Sequence, residues 1–193
     1  MSEAVKATSA LEGFAARGFA TVTESGLTGM ITLRGDLADK TLAKAVKAAT
    51  GAAMPEQRKI TTGKSGKVAW MSSDELLLVV DHAQAPAVVE ALTLALKGQH
   101  ALAANVSDAR VMFEVSGEGN AARETLAKLA PVDLSPEVFT LGDVRRTRLA
   151  QVAGAFWVED DGSFRVVAFR SVAQYVGDLL AQAGSTGSEP KYF

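Results

Sequence analysis

A glycine-containing segment between a predicted strand and a predicted helix is the first candidate for ligand chemistry. Gly117 to Ala122 has the spacing G-x-G-x-x-A, which can place a pyrophosphate at a helix N-terminus. That fingerprint also requires a crossover to a parallel strand and an acidic residue about 20 residues later. Here the helix ends at Pro131 and a loop follows to Gly142. The pattern therefore indicates a plain strand-to-helix turn more strongly than a dinucleotide site.

The other residues with catalytic or metal-binding chemistry are few. Gly63-Lys64-Ser65 resembles the end of a phosphate-binding loop, but Arg58 stands where the first glycine is required, and a strand follows instead of a helix. His82 and His100 are the only histidines, and the chain has no cysteine. Thiolate nucleophiles, disulfides and the usual zinc ligand sets are therefore excluded. We predict no catalytic, cofactor-binding or metal-binding residue in this chain.

Two sets of residues are candidates for contact with a partner protein. Arg145, Arg146 and Arg148 cluster on one predicted strand, where they form either a solvated face or a patch that binds an anion or a partner. Phe14 and Phe19 are among the few large apolar residues of the N-terminal segment. We predict Phe14, Phe19, Arg146 and Arg148 as partner-interface residues.

The composition fits a globular protein and argues against two classes of partner. Apolar residues make up 48% of the chain and charged residues 22%, as in ordinary globular domains. The net charge is −2, so the basic excess that drives general binding to nucleic acid or to anionic membranes is missing. No apolar run has signal-peptide or membrane-spanning length. We therefore expect a cytoplasmic protein that binds neither nucleic acid nor membrane.

A repeated order of strands and helices positions these candidates. Alternating apolar and polar residues predict strands, and apolar residues at 3.6-residue spacing predict helices. The order β-α-β-β-α occurs at about 30–96 and again at 111–183, and 52–67 is predicted as a loop. Gly35 and Gly117 each close the first strand of their half. Strands are predicted at 31–34, 68–71, 76–80, 102–106, 111–115, 144–152, 155–158 and 164–169.

Local similarities support the duplication of one unit. Thr41-Leu42-Ala43-Lys44 matches Thr125-Leu126-Ala127-Lys128 residue for residue. Trp70 and Trp157 fall at equivalent points, and we predict both as core anchors that point the same way. Each unit is a split β-α-β arrangement of the ferredoxin-like kind. The predicted fold class is therefore α+β, with duplicated ferredoxin-like units.

The duplication divides the chain into four predicted parts. A unit of ~70 residues has a thin core by itself. We therefore expect the two units to pack against each other as one compact domain. The parts are an N-terminal extension at 1–26, a first unit at 27–107, a second unit at 108–183, and a mobile, Gly/Ser-rich tail at 184–193.

A series of short motifs between about residues 27 and 182 is more specific in its order and spacing than any single motif is. The motifs are Val106-Ser107, Ser116-Gly117, Leu126-Ala127-Lys128, Pro131-x-Asp133-Leu134, Phe139, Gly142, Thr147-Arg148-Leu149-Ala150, Phe164, Arg170-Ser171, Tyr175 and the segment 72–92. In these motifs the chain resembles the gamma subunits of heterotetrameric sarcosine oxidase. It also resembles the broader aminomethyltransferase-like, folate-binding fold, whose duplicated ferredoxin-like units agree with the repeat.

The resemblance implies a structural or assembly role within a larger oxidoreductase. Sarcosine oxidase acts on the CH–NH bond of sarcosine with oxygen as acceptor. It yields glycine and hydrogen peroxide, and it passes the one-carbon unit to tetrahydrofolate or releases it as formaldehyde. The implied partners are the alpha, beta and delta subunits. The resemblance implies FAD, FMN, NAD, zinc and tetrahydrofolate on those partners and no cofactor on this chain, and activity of the chain alone stays open.

Two departures from the folate-binding pattern bear on the alternative functions. That family often has an acidic residue where Asn105 stands, and Gly-Cys where Leu129-Ala130 precede Pro131. An acidic side chain to grip a pterin is therefore not evident at the first position. The alternatives are a free-standing folate-binding or one-carbon-transfer protein of the same fold, and a small binding module unrelated to amine oxidation.

Overall fold

The structure is a computed structural model that describes residues 6–193. Strands and α-helices alternate in an order that occurs twice within this part of the chain. Short 3₁₀ helices at His82–Gln84, Ser107–Ala109 and Arg170–Val172 join some of them. The elements are β1 Ala15–Arg17, β2 Thr21–Glu24, β3 Gly29–Arg34, α1 Lys40–Thr50, β4 Ile60–Gly63, β5 Gly66–Ser72, β6 Glu75–Val80, α2 Ala85–Ala95, β7 Leu102–Asn105, β8 Arg110–Ser116, α3 Ala121–Ala127, β9 Val144–Leu149, β10 Val152–Val158, β11 Phe164–Phe169 and α4 Ala173–Ala183.

Two antiparallel sheets contain these strands, and the sheets share one strand order. The first sheet runs β4-β5-β6-β3-β7, and the second runs β9-β10-β11-β8-β2-β1. The strands β7-β3-β6-β5 and β2-β8-β11-β10 each form the four-stranded sheet of a ferredoxin-like unit. One further strand, β4 or β9, extends each of them at the same edge. The predicted α+β class with duplicated ferredoxin-like units is therefore confirmed.

Each unit departs from the predicted strands at one place. In the first unit the additional strand is β4, which lies inside the predicted loop 52–67. Its four residues contain one large apolar side chain, Ile60, so the apolar alternation is too short to identify a strand. In the second unit the predicted strand 144–152 breaks at Ala150, whose φ of 50° turns β9 into β10.

The predicted N-terminal extension, residues 1–26, contributes two strands to the second sheet within its described part. β2 pairs with β8 in a register that places Val22 opposite Val115, and β1 pairs with β2 at the edge of the sheet. Ala20 and Val22 are buried in the core below. The predicted domain boundaries stay a prediction, and this pairing joins the extension to the second unit.

The two sheets face each other, and the helices cover the outer face of each sheet. Leu42 of α1 and Leu92 of α2 pack in one outer core against the first sheet. Leu126 of α3 and Leu180 of α4 pack in another against the second sheet. A third core between the sheets includes Met30, Met71, Leu77, Met112, Val144, Ala155 and Trp157. The molecule is thus layered as helix, sheet, sheet and helix.

Gly35 and Gly117 lie at matching strand-to-helix turns, as the repeat predicts. Gly35 follows β3 and Gly117 follows β8. A Cβ atom at Gly35 would lie 2.8 Å from a methyl group of Leu42, and one at Gly117 would lie 2.8 Å from the Cβ of Ala121. Both glycines therefore allow the following helix to approach the end of its strand closely.

Trp70 and Trp157 do not point the same way, so the predicted equivalence is wrong. Trp157 is buried in the core between the sheets. Trp70 lies on the equivalent strand, β5, but it shares the helix-covered face with Val68, because Ala69 occupies the inner face. A difference of one residue in strand position reverses the face of a side chain, and the sequence match does not resolve that difference.

The predicted mobile tail, 184–193, lies against α3. The ammonium group of Lys128 donates a hydrogen bond to the hydroxyl of Ser188 at 2.9 Å. The backbone N–H of Tyr192 donates to the carboxylate of Glu124 at 2.8 Å. Mobility of the tail stays a prediction, and these contacts argue against it.

Candidate partner interface

The glycine segment Gly117–Ala122 forms the turn between β8 and α3. Both neighbours of β8 in the sheet are antiparallel to it, whereas a dinucleotide fold requires an adjacent parallel strand. α3 has only seven residues. A Cβ atom at Gly117 would lie 3.0 Å from the carbonyl oxygen of Phe19, so an electron-rich group already occupies this side. The segment does not fit a pyrophosphate.

The other candidate motifs of the sequence lie apart from one another. Lys64 and Ser65 form the hairpin turn between β4 and β5. His82 lies in a 3₁₀ helix, and His100 lies in the loop before β7. Within residues 6–193, no group of three or more His, Asp or Glu side chains is placed to hold a metal ion. Nor is any helix in that range long and apolar enough to cross a membrane.

Asn105 is engaged within its own turn. Its amide oxygen accepts hydrogen bonds from the backbone N–H of Ser107 at 3.0 Å and from the Ser107 hydroxyl at 2.6 Å. The same hydroxyl lies 3.0 Å from the backbone N–H of Met30, from which it accepts a hydrogen bond. Asn105 therefore orders the connection between β7 and β8, and this position does not supply an acid for a pterin.

Phe14 and Phe19 pack against their own chain. Phe14 makes an edge-to-face contact with Phe113, with ring centroids 6.0 Å apart. Phe19 lies below the ammonium group of Lys128, 4.9 Å from the ring centroid. Both are half-buried against the outer core of the second unit. Their role at a partner interface stays a prediction, to which these intramolecular contacts give no support.

Arg146 and Arg148 lie where the space between the two sheets opens to solvent. Alternate residues of a strand share a face, and Val144 on that face of β9 belongs to the core between the sheets. Both arginines are exposed. Arg145 is on the opposite face, where its guanidinium lies 5.4 Å from the ring centroid of Phe139. The predicted patch therefore contains Arg146 and Arg148 but not Arg145.

Glu75 is the carboxylate around which the arginines gather. Its side chain is 8% exposed, and its Oε2 lies 2.9 Å from Arg34 Nη2 and 3.2 Å from Arg146 Nη1. The hydrogen bond and the charge of Glu75, with a smaller contribution from Asp74, raise the pKa of Arg34. Because a buried charged group is tolerated only when it is paired and hydrogen-bonded, the two guanidinium groups compensate the burial of the Glu75 side chain at the edge of the inner core.

Arg110 completes the group from the start of β8. Its guanidinium carbon lies 4.4 Å from the ring centroid of Phe169. Loss of solvent around it lowers its pKa, the charge of Glu75 opposes that shift, and the charge of Arg146 adds to it. The Nε of Arg110 is buried and has no hydrogen-bond partner among residues 6–193. We name Arg34, Arg110, Arg146 and Arg148 the arginine cluster.

Three members of this site, Arg34, Glu75 and Arg110, are missed by the sequence reasoning. A usable signal existed, because Glu75 alternates with Leu77 and Val79, which face inward. A charged residue in an inward position predicts a partner of opposite charge from a facing element. The cluster can bind carboxylates through bidentate guanidinium contacts, and it contains no nucleophile or general base placed for bond cleavage.

The chain is similar to known subunits of one enzyme complex. Residues 34–186 match the model of the sarcosine oxidase, gamma subunit family. The sarcosine oxidase subunit gamma of Corynebacterium sp. (strain U-96) is 30% identical over 143 residues, which cover 73% of this chain and 68% of that protein.

Solved structures give the same result at the level of the fold. A chain of the heterotetrameric sarcosine oxidase from Corynebacterium sp. U-96, in complex with pyrrole 2-carboxylate, superposes with a TM-score of 0.77 at 26% identity, over 88% of this chain and 87% of that one. The glycine cleavage system aminomethyltransferase T from Bartonella henselae has a TM-score of 0.63 at 13% identity, over 89% of this chain and 48% of that one, and this likeness shows the shared fold. With a family model matched over most of its length, this chain belongs to the sarcosine oxidase gamma subunit family.

Proposed function

We propose that this chain is the gamma subunit of a heterotetrameric sarcosine oxidase and that its role is structural, in assembly of the complex. The observation that carries the proposal is the match to one chain of a solved heterotetrameric sarcosine oxidase, which spans 88% of this chain at a TM-score of 0.77. In this role the chain takes part in oxidative demethylation of sarcosine to glycine, with formation of hydrogen peroxide and transfer of a one-carbon unit to tetrahydrofolate.

The chemistry is assigned to the partner subunits, alpha, beta and delta. Oxidation of a C–N bond requires a cofactor to accept the electrons, because side chains cannot do so. The glycine turn at Gly117 does not fit a dinucleotide, and Asn105 is engaged by Ser107. FAD, FMN, NAD, zinc and tetrahydrofolate are accordingly proposed on the partners. Because NAD and tetrahydrofolate are found inside the cell, the proposal includes a cytoplasmic location.

The surface that serves assembly is proposed to include Arg146 and Arg148. Both are exposed at the edge of the second sheet, beside half-exposed apolar side chains. Arg is enriched at protein interfaces because its planar group forms bidentate contacts and stacks on aromatic rings. Phe14 and Phe19 belong to the same prediction, although their contacts lie within the chain.

Co-purification with the other subunits tests the proposal. A tagged version of this chain is expressed with and without the alpha, beta and delta subunits, and the tag alone serves as control. We expect a yellow complex that forms peroxide from sarcosine, and an isolated chain that is colourless and inactive. Flavin absorption or turnover by the isolated chain, or failure to retain the other subunits, would overturn the proposal.

A further inference from the structure

We propose that the arginine cluster binds an acidic, extended polypeptide segment of a partner subunit, which lies along the open edge of β9. This inference rests on the proposed function, because it needs a partner chain. It adds the chemistry of that partner's contact segment, which family membership does not supply.

The charges at the site are unbalanced. The arginine cluster contains four guanidinium groups, and only two carboxylates, Glu75 and Asp74, form ion pairs with any of them among residues 6–193. Arg34 pairs with both, and Arg146 pairs with Glu75. Neither Arg110 nor Arg148 has a carboxylate within ion-pair distance among the described residues, which exclude 1–5. Two positive charges therefore remain for carboxylates from another chain, in keeping with the charge complementarity of protein interfaces.

The backbone of β9 can accept an extended segment. β9 is an edge strand. Within residues 6–193, its outer edge pairs with the chain only at its start, where Val144 N–H donates to the carbonyl of Arg58 at 2.9 Å and Asp143 forms a bridge with Lys59. Because peptide groups alternate in direction along a strand, those of Arg146 and Arg148 also point outward. A segment added to this edge would place alternate side chains next to the two arginines.

Apolar side chains beside the cluster fit a polypeptide better than they fit a small anion. Phe169 is 43% exposed and Leu102 is 57% exposed. Phe169 lies opposite Arg110 in the second sheet, and Leu102 lies opposite Arg34 in the first. A cavity of about 460 Å³ lined by Arg34, Gly35, Asp74, His100 and Leu102 continues the same surface. Arginines bordered by partly exposed apolar groups are typical of the core of a protein interface.

The test uses the assembled complex and a charge reversal at Arg148. Arg148 has no ion-pair partner within residues 6–193, so Arg148→Glu breaks no such pair inside the described chain. The matched control is Arg17→Glu, which reverses an exposed arginine on β1, the opposite edge strand of the same sheet. We expect Arg148→Glu to weaken binding of the chain to its partner subunits by about tenfold or more and Arg17→Glu to leave it unchanged, as measured by titration at several salt concentrations. Equal binding by wild type and Arg148→Glu would overturn the inference.

Identity of the partner segment is tested by cross-linking. A photoreactive amino acid at position 148 of the assembled complex marks the neighbouring peptide, which is read by mass spectrometry. We expect a peptide with acidic residues at alternate positions. A cross-linked peptide without Asp or Glu, or a site that stays within this chain, would contradict the inference. Inorganic phosphate, added at constant ionic strength, serves as a competitor. If phosphate binds the isolated chain but does not change assembly of the complex, the inference is also contradicted.

The two proposals fail in different ways. If the wild-type chain does not retain the other subunits at all, the proposed function is wrong. If the wild-type complex forms and Arg148→Glu forms it equally well, with both variants showing the same thermal unfolding as wild type, only the acidic segment at β9 is wrong.

Discussion

The two units have the same strand order but obtain one strand from different parts of the chain. In the first unit, β3 pairs with β6 on one side and with β7 on the other, and β7 is the next strand after α2. In the second unit, β8 pairs with β11 on one side, and the position equivalent to β7 is taken by β2, which precedes the whole first unit. The first unit is thus complete within a continuous stretch, whereas the second closes only through pairing across about 90 residues of sequence. Duplicated units can therefore be equivalent in structure and unequal in how they are assembled.

The cores and loops of the units also differ. The outer core of the first unit is mainly aliphatic, whereas that of the second contains Phe113, Phe139, Phe156 and Phe164. The loop after α1 is short, but the loop after α3 runs from 128 to 143. Arg123 holds this longer loop by donating hydrogen bonds to the carbonyls of Leu134 at 2.9 Å and Phe139 at 2.8 Å. The second unit therefore depends on anchors that the first does not need.

The largest effect is expected from removal of residues 1–25. The second sheet would lose β1 and β2, leaving β8 unpaired at one edge and uncovering the core around Val115. We expect the second unit to unfold and the chain to aggregate, as measured by circular dichroism and limited proteolysis. Removal of residues 189–193 serves as control and should preserve cooperative unfolding. A truncated chain that lacks 1–25 and still unfolds at the wild-type temperature would show that β2 is dispensable.

The second-largest effect is expected from removal of a buried side chain in the loop after α3, compared with one in the loop after α1. Phe139 is fully buried, and its ring centroid lies 5.6 Å from that of Phe156 and 5.7 Å from that of Phe164. Phe139→Ala should lower the free energy of unfolding by about 3–5 kcal/mol through lost burial and an internal cavity. Met54 in the shorter loop is half-buried, so Met54→Ala should lower it by about 1–2 kcal/mol. Urea denaturation measures both, and equal losses would remove the distinction between the loops.

A smaller effect on stability is expected from replacing Lys128, which the sequence repeat matches with Lys44 of the first unit. Lys128 donates to the carbonyl of Ala183 at 2.6 Å and to Ser188, whereas Lys44 at the matching position is exposed. Lys128→Met should raise hydrogen exchange of 184–193 and lower the free energy of unfolding by less than about 1 kcal/mol. Lys44→Met should change neither. Unchanged exchange in Lys128→Met would mean that other contacts hold the tail.

The smallest effect concerns the N-termini of α1 and α3 at acid pH. Asp39 caps α1, and hydrogen bonds from the backbone N–H groups of Leu42 and Thr41 lower its pKa from the ordinary 3.8. The stabilisation of the folded state by ionised Asp39 is therefore complete at pH values above the ordinary pKa. It is lost as the pH falls through the lower pKa that Asp39 has in the folded state. Asp39→Asn keeps a capping acceptor without a charge, so the stability difference from wild type should disappear at low pH. Asn120 makes no side-chain cap on α3, and Asn120→Ala should show no such dependence when unfolding is followed from pH 6 to pH 2.

The elements that the sequence predicts well are those with long local patterns. α1 has its apolar stripe, its Asp39 cap and Gly51 in left-handed conformation at its end. The hairpin of β5 and β6 follows from two apolar runs around Ser73-Asp74. By contrast β1, β2 and β4 have three or four residues each, too few for a period of two to stand out. Of the candidate interface, the sequence predicts Arg146 and Arg148, but not the carboxylate that Arg146 contacts.

The sequence by itself therefore determined the duplicated α+β order, the glycine turns at Gly35 and Gly117, and the family to which the motifs point. Each depends on residues close together in the chain, where spacing alone sets the geometry. Only the tertiary structure decided that β2 completes the second sheet, that Trp70 and Trp157 face opposite ways, and that Arg34, Arg110 and Arg146 gather at Glu75. These depend on register and on the packing of one sheet over another, where a shift of one residue reverses every side chain.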